Sequence, residues 1–150
     1  MSKLFIYFSL SGNGDAVADV LAAKGYEVRK VVQKRGIKKP NFFGILSGGF
    51  QAGMGIKAKL LPYDTSLEGV DEVIVGSPIW NGRLSSPINR VLADMDFHNV
   101  KLSFVFYSGS GEAKKVSKTL TKLYPDAPYL CMKEPKSHPE ELKKLDIYDK

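Results

Sequence analysis

A doubly wound α/β sandwich, built on a parallel sheet of five strands, is the fold this sequence predicts, and three observations predict it. Apolar runs of strand length alternate with stretches of helical periodicity along the chain, which implies parallel strands joined by right-handed crossovers. Three of those runs, residues 4–8, 73–75 and 102–107, are almost continuously apolar, as strands covered on both faces require. Each of the three gives way to small polar residues, at 9–14, 76–83 and 108–111.

The first strand, residues 4–8, is too short to span a membrane and rich in β-formers. Ser9, Ser11, Gly12, Asn13 and Gly14 follow as a turn. Helical spacing then resumes: Ala16, Val17, Val20 and Leu21 share a face, Gly25 ends the helix, and Lys24 lies near its negative end. Residues 26–32 give a second strand, partly exposed at a sheet edge. No strand pattern runs from 33 to 63. Phe43, Leu46 and Phe50 have helical spacing, but Gly44, Gly48, Gly49, Gly53 and Gly55 weaken it, so a short, loosely specified helix in a long crossover is expected. Residues 70–76 form the third strand. Asn81-Gly82 is a strong turn signal, yet the helical pattern after it argues against a hairpin. Ser86-Pro87 opens that helix, with Ile88, Val91, Leu92 and Met95 on its buried face. After the fourth strand, 102–107, comes a helix carrying Val116, Leu120 and Leu123. The fifth strand, 129–132, precedes a last helix in which Ser137 and Glu140 match a capping box around Pro139, with Leu142, Leu145 and Ile147 as its apolar side.

At 150 residues the chain reads as a single domain, 1–150, able to bury roughly two thirds of its unfolded surface. One cysteine, Cys131, excludes an internal disulfide framework and reads as core filler; two histidines, His98 and His138, read as surface residues and build no zinc site. Residues 1–3 run straight into the first strand and leave no room for a signal peptide, and no apolar run approaches the length of a membrane span, so a cytoplasmic protein with no membrane role is expected. The net charge of +6 makes nucleic acid, an anionic membrane or an acidic protein worth weighing. Arg29, Lys30, Lys34, Arg35, Lys38 and Lys39 cluster without an acid among them, but neither aromatics nor a nucleic-acid motif accompany them, so a solvated basic edge is the simpler reading and no nucleic-acid partner is expected.

A strand, a serine- and glycine-rich loop and a helix N-terminus make a ready anion site, because unpaired N–H groups and the positive end of the helix dipole point the same way. The same loop could simply cap a helix with Ser11 or Asn13. What favours a ligand is convergence. In a parallel sheet all three small-residue loops lie at one edge, outside the carboxyl ends of the strands, where ligands of such sheets bind. Several chemistries are disfavoured by motif. No Gly-Lys pair exists for a Walker loop, no serine has glycine two places before it as a hydrolase elbow needs, and Val17 stands where a dinucleotide fingerprint wants glycine or alanine. Gly53-Met54-Gly55-Ile56-Lys57-Ala58 matches that fingerprint loosely but follows no strand.

Ser9-Leu10-Ser11-Gly12-Asn13, Gly76-Ser77-Pro78-Ile79-Trp80-Asn81-Gly82-Arg83 and Ser108-Gly109-Ser110-Gly111 resemble the phosphate loop and the two isoalloxazine loops of the flavodoxin family, in its short-chain form. The resemblance implies FMN as cofactor, strand order 2-1-3-4-5 in a three-layer sandwich, and electron transfer by the flavin with no catalytic side chain and no metal. By position it assigns Ser9, Ser11, Gly12 and Asn13 to the phosphate, with Gly14 beside them. Trp80 would lie against the ring, with Pro78 and Ile79 leading into it and Asn81 and Gly82 giving backbone contacts. Ser108, Gly109 and Gly111 would line the pyrimidine side. The implied partner is a redox protein, or NAD(P)H if the chain is instead a flavin or quinone reductase that binds it through residues 29–39 and Arg83; a non-redox binding scaffold is the third reading. Two departures stand out. Gly14 replaces a usual hydroxyl residue, and the third loop lacks the aromatic that often covers the second flavin face, leaving Tyr107, Phe42, Phe43 or Phe50 as substitutes. The basic charge also contrasts with the acidic surface usual in electron-carrying flavodoxins.

Overall fold

The computed structural model describes residues 2–34, 59–80 and 82–149. In chain order the elements are β1 (Lys3–Tyr7), α1 (Asn13–Ala23), β2 (Glu27–Lys30), β3 (Glu72–Trp80), β4 (Arg83–Leu84), α2 (Ser86–Asp94), β5 (Lys101–Ser108), α3 (Lys114–Leu123), β6 (Tyr129–Lys133) and a 3-10 helix (Pro139–Tyr148). Five of the strands pair in parallel in the order β2-β1-β3-β5-β6. With the two-residue β4 set aside, this is the predicted 2-1-3-4-5.

The continuous apolar runs follow from the two-sided burial of the central strands. Along β1, Leu4 and Ile6 point to one face and Phe5 and Tyr7 to the other. The first face, with Val73, Val75, Phe104 and Phe106, packs on Ile88 and Val91 of α2 and on Val116 and Leu120 of α3. The second, with Ile74, Val105, Tyr107 and Met132, packs on Val17, Ala18 and Leu21 of α1 and Leu145 of the 3-10 helix. Burying a side chain of this size stabilises by about 1.5–3 kcal/mol, so neither face could be left bare.

Gly25 ends α1 as its position suggested. It sits at φ +94°, donates to the Ala22 carbonyl at 3.0 Å, and lets Tyr26 donate to the Leu21 carbonyl at 3.1 Å. That pair of bonds closes the helix with a left-handed glycine. Lys24 does not merely sit at the dipole; its ammonium bridges to Asp146 at 3.6 Å and to Asp149, tying α1 to the 3-10 helix.

Several sequence expectations are corrected. β3 does not stop at Gly76 but runs to Trp80, and Asn81-Gly82 does join a hairpin, since Trp80 pairs with Arg83 and Ile79 with Leu84 in antiparallel fashion. The helical signal after Gly82 was real but begins only at Ser86, leaving room for a two-residue returning strand. The last helix is 3-10, not α; His138 precedes it and no side chain caps it, so the capping box does not form. Its three-residue turn buries Leu145 and leaves Ile147 exposed, and Leu123 at the end of α3 is likewise exposed. β2 covers only four of the seven residues expected. The expected helix around Phe43, Leu46 and Phe50 lies outside the described residues. Among the described residues no helix is long and apolar enough to cross a membrane.

Candidate functional site

The first loop leaves the sheet at Ser9. Gly12 precedes α1 at φ +91°, a left-handed conformation that costs a residue with a β-carbon about 1–2 kcal/mol. Neither Ser11 nor Asn13 caps the helix. Instead the Ser9 hydroxyl oxygen accepts from the N–H groups of Gly12 at 3.1 Å and Gly14 at 3.0 Å, so Ser9 reaches over the N-terminus from outside it. The Asn13 amide donates to the Ser11 hydroxyl at 3.1 Å, and its carbonyl oxygen accepts from the backbone N–H of Lys136 at 3.0 Å.

Gly14 owes its identity to close approach. A β-carbon there would fall 2.6 Å from the Tyr107 hydroxyl, 2.7 Å from the Tyr7 ring and 2.8 Å from the Ser9 β-carbon. Tyr107 is buried beneath the loop, its hydroxyl donating to the Phe8 carbonyl, and burial holds its pKa well above the ordinary value, so it remains a donor. Tyr107 therefore cannot cover a ring bound above the loop; Phe42, Phe43 and Phe50, the other candidates, lie outside the described residues. Beside it the Tyr7 hydroxyl donates to Asp15 at 2.6 Å, and Lys30 pairs with the same carboxylate at 2.9 Å. Burial works against that carboxylate, but the Tyr7 hydroxyl and Lys30 outweigh it and leave the Asp15 pKa below its ordinary value. An acid in the first turn of α1 is thus held by its own partners.

The second loop is the β3–β4 hairpin. Ser77, fully buried, accepts from the Ser85 N–H at 3.2 Å, lies 2.9 Å from the Ser85 hydroxyl and donates to the Pro78 carbonyl at 2.8 Å, closing the hairpin at its base. Pro78, Ile79 and Trp80 are half-buried beyond it, and Trp80 meets Phe8 edge to face with centroids 5.7 Å apart. Gly82 turns the hairpin at φ +74°. Asn81 lies outside the described residues.

In the third loop Ser108 accepts from the Gly111 N–H at 2.9 Å, and Gly111 takes φ +78°. Gly109 faces open space. Cys131 lies 3.6 Å from the Ser108 hydroxyl, half-buried, and burial pushes its thiol up, which suits a packing role rather than a reactive one.

The structure brings these loops together in a ring. Phe8 joins the first loop to Trp80, the Tyr107 hydroxyl joins β5 to Phe8, the Ser108 carbonyl accepts from Glu134 at 3.1 Å, and Lys136, two residues on, closes the ring at Asn13. Three lysines complete it, and none carried a sequence signal. Where β-carbons would stand on Gly12, Gly82 and Gly111 lie the stems of Lys136 at 3.1 Å, Lys115 at 3.0 Å and Lys133 at 3.2 Å. Spacing could not find them, because Lys136 meets a loop 124 residues away at Gly12 only through the fold. Among the described residues, cavities away from this ring include one of about 680 Å³ between α1 and the 3-10 helix, beside Asp19 and Tyr148, one of about 440 Å³ beside Tyr63 and Arg90, and one of about 360 Å³ at the opposite sheet edge, beside His98 and Tyr124. Their linings bring together no such set of glycines and donors.

Fold and loop edge together define a doubly wound α/β protein with flavodoxin-like strand order, whose hydroxyl- and glycine-rich loops gather at one carboxyl edge. Solved structures of the same fold come from proteins described as flavoproteins. A flavoprotein from Lactobacillus acidophilus in complex with FMN superposes with a TM-score of 0.69 at 17% identity, covering 93% of this chain and 97% of its own. The apo form of the flavoprotein from that organism, solved by NMR, matches with a TM-score of 0.62 at 18% identity, covering 86% and 91%. A candidate flavoprotein from Bacteroides eggerthii gives a TM-score of 0.69 at 18% identity, covering 97% and 96%. The sequence matches no protein-family profile and no curated protein.

Proposed function

We propose that this protein binds FMN at the ring of loops and carries electrons through it. The observation that carries the reading is the convergence of three left-handed or side-chain-free glycine loops on the carboxyl ends of β1, β3 and β5, in a fold shared with a protein solved holding FMN. The donor set fits the group. Ser9, Ser11, Gly12 and Asn13 offer hydroxyl, amide and helix N-terminal donors to a phosphate, and Gly14 keeps that loop low over Tyr107. Trp80, with Pro78, Ile79, Asn81 and Gly82, would flank the ring; Ser108, Gly109 and Gly111 would border its polar edge. Bound flavin supplies one- or two-electron chemistry, and the chain's task is to hold and orient it. A phosphate must compete with Ser9 for the N–H groups of Gly12 and Gly14, because that hydroxyl already accepts from both.

An NAD(P)H-dependent reductase is the alternative. It would draw on residues 29–39 and Arg83, but Arg29 is engaged by Asp64 at 3.5 Å and by Glu27, and Lys30 by Asp15, which leaves those two less to offer a nucleotide phosphate. An acidic redox protein suits the net charge of +6 better.

Trp80 is the chain's one tryptophan, so its fluorescence reports on the loop directly. Titration with FMN is expected to quench it saturably with one flavin per chain. Unquenched emission up to millimolar FMN, with no retention of flavin on dialysis, would leave the scaffold reading instead.

A further inference from the structure

We infer that Lys136 is the cation set against the phosphate, and that it makes the site selective for a phosphorylated flavin; the inference rests on the FMN reading above. Its position is fixed by more than a flexible side chain. The turn after β6 is pinned at both ends: Glu134 donates to the Ser108 carbonyl, and the Lys136 N–H donates to the Asn13 side chain. Within it Glu134 takes φ +37°, the one described non-glycine residue with positive φ, while Pro135 is buried and both Ser137 and His138 donate back to the Glu134 carbonyl at 2.9 Å. Strain of that kind persists where the surrounding structure over-determines it. Its effect here is to lay the Lys136 stem across Gly12, with the ammonium 3.5 Å from the Ser11 carbonyl and 3.2 Å from the place of a Gly12 β-carbon.

Space explains why a cation stands there. A hydroxyl side chain at position 14 would collide with Tyr107 and Tyr7, so the loop lacks that donor. Asp15 puts a negative charge in the first turn of the helix, paired with Lys30 at 2.9 Å and also attracted by the Lys136 ammonium. An ammonium lying across Gly12 supplies an attraction that the loop's own donors lack, and it does so for a dianion far more than for an uncharged ligand.

The test compares wild type, Lys136→Gln and the distant control Lys122→Gln, each titrated with FMN and with riboflavin by Trp80 quenching. Lys136→Gln should weaken FMN binding about tenfold, leave riboflavin unchanged and flatten the salt dependence of FMN binding, while Lys122→Gln matches wild type. Equal losses for both flavins, or no loss, would overturn the inference while leaving the FMN reading intact. Inorganic phosphate, followed by the amide resonances of Ser11 and Gly12, separates the two ideas. A response weakened in Lys136→Gln supports the cation site even if neither flavin binds, and responses equal in the two proteins, or lacking in both, overturn it.

Discussion

Gly14→Thr is expected to destabilise the protein by about 1–3 kcal/mol, although it places a hydroxyl residue where the resemblance to flavodoxin phosphate loops implies one. The new β-carbon would lie inside contact distance of three groups at once, and the nearest, the Tyr107 hydroxyl at 2.6 Å, cannot swing away. That ring is buried and its hydroxyl is tied to the Phe8 carbonyl, which in turn belongs to the strand end that launches the loop. A lower urea midpoint at unchanged slope would report the cost. Tyr107→Phe removes the nearest atom, so the double variant should recover part of the loss, a coupling that distinguishes collision from a general intolerance of the loop. If Gly14→Thr were as stable as wild type, the loop would have to rise off Tyr107 without cost, and the account of Gly14 would be wrong.

Ser77→Ala should cost a further about 1–3 kcal/mol by a different mechanism. Ser77 and Ser85 are both fully buried, and the Ser77 oxygen serves the Ser85 N–H, the Ser85 hydroxyl and the Pro78 carbonyl together. Alanine leaves two donors of Ser85 and one carbonyl without their partner, in a protein where no described buried side-chain nitrogen or oxygen is unsatisfied. Since this pair closes the hairpin that presents Trp80, the variant should also shift Trp80 emission towards that of exposed indole before global unfolding. Ser85→Ala in the same background should add little, because the interaction has already gone. Unchanged stability and unchanged emission in Ser77→Ala would mean that the β3–β4 pairing alone holds the hairpin.

The sheet was legible because its central strands are buried on both faces, so Leu4 to Phe8 and Leu102 to Tyr107 needed no alternation to be recognised. The helices α1 and α2 were legible from periodicity and from Gly25 and Pro87. What misled was local sequence read without its neighbours. Asn81-Gly82 did make a hairpin, but the strand it returns, Arg83 and Leu84, is too short to have a pattern of its own. Ser137 and Glu140 had capping-box spacing, yet the chain there is bent to bring Lys136 to Asn13, and a 3-10 helix follows. The loops of the candidate site were visible as composition. Their closure was not, since Tyr107 under Gly14 and Lys136 over Gly12 are contacts between residues that only strand order brings together.

The most direct test of the central claim is an FMN titration of isotopically labelled protein, reading backbone amide resonances. The account predicts saturable shifts concentrated at Ser11, Gly12, Gly14, Gly82, Gly109 and Gly111, with the amides of Gly25 and Gly69, away from the ring, unmoved. Shifts concentrated instead beside Asp19 and Tyr148, or beside His98 and Tyr124, would place the ligand in another cavity and contradict the assignment of the loop edge as the flavin site.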